Sequence, residues 1–118
     1  MLNSGYFEKV YLATTPCDMR KSINGLSIMV KHEFNLDPFS SALFVFCNKS
    51  RNKLKLLFWQ RNGFWLCYRR LEKGKFSWPA DKNSGVITIE TRELNWLLDG
   101  LCIEQKQAHK KVEVKILI

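Results

Sequence analysis

Three strand-like runs follow one another with little between them, and that succession constrains the fold more than any other feature of the 118 residues. Leu43-Phe44-Val45-Phe46, Leu54-Lys55-Leu56-Leu57-Phe58-Trp59 and Phe64-Trp65-Leu66-Cys67-Tyr68 are built of β-branched, aromatic and other apolar side chains. The gaps between them, Asn48 to Asn52 and Arg61 to Gly63, hold residues that turns prefer. The pattern predicts a meander of antiparallel strands. Asn62-Gly63 is the sharpest hairpin signal, because a type I′ turn needs positive φ at both central positions. With those two residues at the turn, Arg61 faces Phe64, and the ladder pairs Trp59 with Leu66, Leu57 with Tyr68 and Lys55 with Arg70.

The flanking sequence predicts the rest of one domain spanning 1–118, with its core over about 8–101. Val10 to Ala13 reads as a first strand ending at the turn-formers Thr14 to Cys17. Met19, Ile23, Leu26 and Val30 share a helical face that Met29 and Phe34 widen, so a helix is expected over about 19–34 with Asp18 as its cap. Gly25 inside it costs roughly 1 kcal/mol relative to Ala, which marks either a closely packed backbone or a tolerated weak spot. Asp37-Pro38 breaks the helical pattern, and Asp37 can bond forward to the backbone. Phe76-Ser77-Trp78 and Val86 to Ile89 read as shorter strands. A second helix is expected from about Thr91 to Asp99, carrying Leu94, Leu97, Leu98 and Leu101 on one side, with Gly100 where a C-terminal cap belongs. In 102–118, Val112, Val114, Ile116 and Ile118 alternate with polar residues, a pattern equally compatible with a last edge strand and a loose tail; Lys106, His109, Lys110 and Lys111 there read as solvated. The expected class is α+β: a mostly antiparallel sheet of about five to six strands, with two α-helices packed on one face and the other face partly exposed.

Charge then singles out one part of that sheet. The chain carries 19 Lys and Arg against 11 Asp and Glu, a formal net charge of +8, which favours polyanionic partners. Between residues 49 and 75 stand Lys49, Arg51, Lys53, Lys55, Arg61, Arg69, Arg70, Lys73 and Lys75, opposed by Glu72 alone, so the whole excess comes from the meander. Strand alternation places Leu54, Leu56, Phe58, Trp65 and Cys67 on one face, fit for the core. It places Lys53, Lys55, Arg61 and Arg70 around Trp59 and Tyr68 on the other. Cations for phosphate and flat rings for bases or sugars are the mixture that nucleic-acid surfaces use. Lysines on a strand also keep sheet edges from pairing, but that needs only a few charges, and nine in one segment favour a polyanion.

Other function classes lack their residues. A two-metal nuclease or strand-transfer site needs clustered carboxylates, whereas Asp18, Asp37, Asp81 and Asp99 sit beside caps and turns. There is no glycine-rich phosphate loop and no nucleophile elbow, so no catalytic residue and no cofactor is expected. Cys17, Cys47, Cys67 and Cys102 form no C-x-x-C pair, and His32 and His109 complete no zinc set. The cysteines are expected to be free thiols, small and buried, with no metal site. The N-terminus has no signal-peptide pattern and no run approaches the roughly 20 apolar residues of a membrane helix, so a cytoplasmic protein without membrane contact is expected.

Several segments, taken in order, resemble a known family. They are Thr15-Pro16-Cys17-Asp18-Met19-Arg20-Lys21-Ser22, Gly25-Leu26, Asp37-Pro38-Phe39-Ser40, Leu43 to Phe46, Asn48-Lys49, Lys55 to Trp59, Asn62-Gly63-Phe64, Tyr68 to Gly74, and Phe76-Ser77-Trp78-Pro79. Together they are similar to the TnpB, or second-reading-frame, proteins of insertion-sequence family sixty-six, over about Val10 to Leu101. Gln60 stands where that family usually carries Asp. The resemblance implies an accessory role in transposition beside a larger transposase that carries the catalytic carboxylates. It brings no established active-site residue. Asp18, Met19, Arg20 and Lys21 match the family motif, with Asp18 read as a helix cap and Arg20 and Lys21 as first-turn residues facing a partner or phosphate. The expected partner is DNA, at transposon ends or without sequence preference, through the basic aromatic hairpin. The competing expectation is a module that bridges transposase subunits through Trp59, Trp65 and Trp78.

Overall fold

A computed structural model describes residues 7–79 and 85–99. Strands β1 (Lys9–Ala13), β2 (Ala42–Cys47), β3 (Lys53–Gln60), β4 (Gly63–Arg70) and β5 (Val86–Ile89) form one sheet in the order β4-β3-β2-β1-β5. β1 and β2 run parallel, joined through helix α1 (Ile23–His32), and every other pairing is antiparallel. Helix α2 (Thr91–Leu98) follows β5. The α+β class and the mostly antiparallel sheet are as expected.

The helices, however, do not share a face. Leu26, Met29 and Val30 of α1 pack with Ala42, Phe44, Phe46 and Leu57. Leu94, Leu97 and Leu98 of α2 pack with Leu43, Val45, Cys47, Leu54, Leu56 and Phe58, the alternate positions of the same strands. The reason lies in β2. All six of its residues are buried, so it needs apolar cover on both sides, as inner strands of two-sided sheets do. A helix on each face supplies that cover, and β3 is therefore no simple boundary between core and solvent.

Local chemistry moves several boundaries. Residues 18–21 form a turn instead of helix: the Asp18 carboxylate accepts from the backbone N–H of Arg20 at 2.9 Å, and Lys21 N–H donates to the Asp18 carbonyl at 3.1 Å. Asp18 has thereby spent its capping capacity on a tight Asx-type turn, and Ser22 becomes the N-cap of α1. The helix ends through Asn35, which takes the left-handed conformation (φ 55°) common just past a helix terminus. Asp37 bonds forward to Phe39 N–H at 2.9 Å, as its place before Pro38 suggests.

The hairpin forms two residues out of the expected register. Arg61 (φ 51°) and Asn62 (φ 67°) are the turn, and Gly63 pairs with Gln60 inside the ladder. Trp59 therefore faces Phe64, Lys55 faces Tyr68, and Lys53, not Lys55, faces Arg70. A shift of two leaves every side chain on its original face, so the division into faces stands while the cross-strand partners change. Packing accounts for the choice: Trp59 and Phe64 meet edge to face at 5.0 Å and both pack on Phe39, at 4.9 and 5.3 Å. Trp65 lies on the predicted core face but at the tip, where it is 56% exposed.

Phe76 to Trp78 is not a strand. Phe76 N–H donates to the Arg51 carbonyl, and the buried Trp78 indole donates to the Ala13 carbonyl at 2.8 Å, so both rings serve as plugs in the α2-side core. Around Gly25 no backbone packs closely. An added Cβ would meet only the Lys21 side chain, at 3.5 Å or more, which identifies that glycine as the tolerated weak spot. Cys17 and Cys47 are buried free thiols and Cys67 is a half-buried one. Burial pushes the Cys17 thiol up and lifts that of Cys47 to about 11, which leaves both poor nucleophiles. Gly100, Cys102 and the 102–118 tail lie outside the described residues. No helix among the described residues is long and apolar enough to cross a membrane.

Candidate nucleic-acid interface

The nine cations of residues 49–75 occupy four places. Arg61 stands at the hairpin tip. Lys49, Arg51, Lys73 and Lys75 flank the open end, where Leu71 N–H bonds to the Asn52 carbonyl and Phe76 N–H to the Arg51 carbonyl. An eight-residue strand separates tip from open end by roughly 25 Å. Arg69 points to the α2 side. Lys53, Lys55 and Arg70 share the α1 side with Tyr68.

Two of the nine support the α2-side core, apart from Lys55, which binds the Lys21 carbonyl on the α1 side. Arg51, itself at φ 61°, donates to the Trp78 carbonyl at 2.9 Å and so anchors the plug segment. Arg69 donates to the Leu98 carbonyl at 3.0 Å, at the C-terminus of α2, where a cation also meets the negative end of the helix dipole. Neither role has a sequence signal, because each bond spans nearly thirty residues. The loop that carries Arg51 is shaped by Asn48, whose side-chain oxygen accepts from the N–H groups of Asn52 and Lys53 at 3.1 and 3.0 Å.

On the α1 side the hairpin meets the 18–21 turn. Cys17 N–H donates to the Cys47 carbonyl at 2.8 Å, which docks the turn at the end of β2, and Lys55 Nζ reaches the Lys21 carbonyl at 2.8 Å. Between them lies a groove of about 440 Å³ lined by Met19, Arg20, Lys53, Lys55, Leu66 and Tyr68. The motif residues and the hairpin cations, separated by more than thirty positions in sequence, thus line one depression. Lys53 and Lys55 are half-buried, and the Lys55 ammonium is engaged with the Lys21 carbonyl. Tyr68 is 54% exposed.

The electrostatics of this site are local. Asp18 holds Arg20 through a bidentate contact of 2.8 to 3.1 Å, and the Arg20 guanidinium and backbone N–H draw the Asp18 carboxyl down to about 2. Arg70 pairs with Glu72 at 2.9 Å. Both pairs are solvent-exposed and join residues two apart, so they orient the guanidinium groups more than they stabilise the protein. Among the described residues no carboxylate from a distant part of the chain pairs with the nine cations. Lys21, Lys53 and Lys55 form no ion pair among the described residues.

Aromatic residues divide differently. Trp59 is half-buried between Phe39 and Phe64 at the tip, and Trp78 is core, so the three tryptophans expected to act together do not share a surface. Trp65 stacks on Phe58 at 6.3 Å and accepts orientation from Gln60, to whose side-chain oxygen its indole donates at 3.0 Å. Among the described residues no group of three His, Cys, Asp or Glu side chains is placed to hold a metal ion.

Comparison with known proteins adds a family to this geometry. The family model for IS66 Orf2-like proteins matches residues 8–108. Two curated proteins of Sinorhizobium fredii are similar over most of their length. Uncharacterized protein y4hO is 36% identical over 101 residues, covering 86% of this chain and 87% of that protein. Uncharacterized protein y4jC is 33% identical over 93 residues, covering 79% of each. No solved structure matches.

Proposed function

The chain belongs to the IS66 Orf2-like family, and from that premise we propose that it serves transposition as a non-catalytic accessory protein gripping DNA in the groove between residues 18–21 and the β3–β4 hairpin. The observation that carries this reading is the meeting of Arg20 with Lys53 and Lys55 around one depression, where Lys55 also binds the Lys21 carbonyl. Three cations converge there from two segments far apart in sequence. Arg70, opposite Lys53 in the ladder, adds a fourth beside it. Like charges facing each other in a ladder cost up to roughly 1 kcal/mol, and a bound phosphate removes that cost.

Contact with about four phosphates predicts that log K falls with log salt at a slope near −3.6 on duplex DNA. Replacing Lys53 and Lys55 together by Gln should make that slope shallower by about 2. An unchanged slope with unchanged affinity would count against the groove. A second reading rests on Phe39 and Trp65, each 56% exposed near the hairpin tip, as anchors for the element's transposase. It expects salt-insensitive binding to purified transposase that Phe39→Ser with Trp65→Ser abolishes.

A further inference from the structure

We infer that the nucleic acid held by this groove is single-stranded DNA, with an unpaired base laid on Tyr68 and neighbouring phosphates on Lys53, Lys55 and Arg20; the inference rests on the DNA-binding reading above. The lining is half apolar. Met19, Leu66 and the ring of Tyr68 stand beside Arg20, Lys53 and Lys55, so an occupant must offer a flat apolar surface as well as negative charge. A duplex turns phosphate and sugar outward and hides its base faces in the stack, and exposing one costs a few kcal/mol. A single strand offers both surfaces at once, and stacking on an aromatic ring suits any base because every base has a π-face.

Tyr68 is placed for that task. Trp59, on the same face, packs against Phe39 and Phe64, and Tyr11 stacks on Phe44 at 5.6 Å. Among the described residues Tyr68 has no such ring neighbour, and it stays 54% exposed where the groove opens. Lys55 sits directly across the ladder from it and Arg70 two positions along the same strand. A ring with cations beside it and one pleat further on, roughly 7 Å away, matches a base flanked by its own backbone.

The fold also disfavours the commonest way in which a β-ribbon reads duplex DNA. A two-stranded ribbon can enter the major groove, which is about 12 Å wide, only if it stands clear of the rest of the protein. Here β3 is bonded to β2 over Leu54–Leu57, with α1 residues over Leu57 and α2 residues over Leu54 and Leu56. The narrowest extent of the molecule is 29 Å. The groove beside Lys53 and Lys55 can receive a strand from outside, but this part of the ribbon cannot insert.

The test is a fluorescence titration of the full chain with oligothymidylate, a duplex of equal length and oligouridylate, each at several salt concentrations. Oligothymidylate should bind at least about tenfold more tightly than the duplex, with a salt slope near −0.7 per phosphate contacted. Tyr68→Leu should lose roughly five- to a hundredfold of that affinity with the slope unchanged, and Tyr68→Phe should restore it. Duplex binding as tight as single-strand binding, with Tyr68→Leu indistinguishable from the parent and the Lys53 and Lys55 variants weakened, would overturn the single-strand inference while leaving the groove standing. Tighter binding of oligouridylate would overturn the assignment to DNA. Binding unaffected by loss of Lys53 and Lys55 would overturn the groove itself.

Discussion

The two faces of β3 do different work although their residues alternate along one strand. On the α2 side Leu54, Leu56 and Phe58 are buried with Phe76, Trp78 and the leucines of α2. On the α1 side only Leu57 is fully buried, while Lys53 and Lys55 stop half-buried at the rim of a groove. The first face contributes the burial that holds the sheet together, and the second leaves part of its surface uncovered and positive. On the proposed reading stability and recognition fall to adjacent residues, one pleat apart, and substitutions should separate them.

The largest expected effect lies on the dry face. Leu54→Ala, at a fully buried position, should destabilise the protein by about 2–5 kcal/mol in urea or thermal unfolding, since the closely packed surroundings cannot collapse into the cavity. DNA affinity of the fraction still folded should not change. On the wet face the outcome should invert. Lys53→Gln with Lys55→Gln should weaken DNA binding by roughly tenfold or more at moderate salt while costing no more than about 1.5 kcal/mol of stability, the share of the Lys55 bond to the Lys21 carbonyl. If that double variant unfolds the protein instead, the two faces are not separable and the contrast fails.

Smaller effects sharpen the same contrast at the helix of each face. Glu93 accepts from the backbone N–H of Glu90 at 2.8 Å in the capping box of α2, and Glu93→Ala should cost about 0.5–2 kcal/mol by thermal unfolding. On the groove side Gly25→Ala should stabilise α1 by about 0.5–1 kcal/mol, because the new methyl meets only the Lys21 stem at ordinary contact distance. A loss of stability there would mean that the 18–21 turn packs on α1 more tightly than the geometry indicates. The smallest effect concerns pH. Asp18 has its carboxyl lowered from 3.8 to about 2, so the contribution of its turn is complete above about pH 4 and lost as pH falls toward 2. Amide shifts of Met19 and Arg20 should report that titration, and Asp18→Asn should abolish it.

Much of this was legible in the sequence, and the failures have identifiable causes. Strand alternation placed Lys53, Lys55 and Tyr68 on one face and Leu54, Leu56 and Phe58 on the other, and a two-residue slip of the hairpin could not disturb that. The slip itself was illegible because Arg61 is a poor candidate for positive φ. What fixes the turn is Phe39 packing on Trp59 and Phe64 from outside the hairpin. The position of the helices was legible and overlooked: a strand apolar at every position from Ala42 to Cys47 requires cover on both sides. Asp18 was ambiguous, since the same carboxylate can cap a helix or close a turn, and Arg20 within reach of it decides for the turn. The groove was beyond any local pattern. It arises because Cys17 and Lys55 tie residues 18–21 to the sheet across thirty and thirty-four positions.

The central claim is that DNA meets this protein where residues 18–21 approach the hairpin, and amide chemical-shift mapping during a DNA titration tests it most directly. Shifts concentrated at residues 18–21, 53–55 and 66–70, with β5 and α2 silent, are the expected result. Shifts centred on the hairpin tip at Phe39 and Trp65, or spread evenly over the surface, would contradict it.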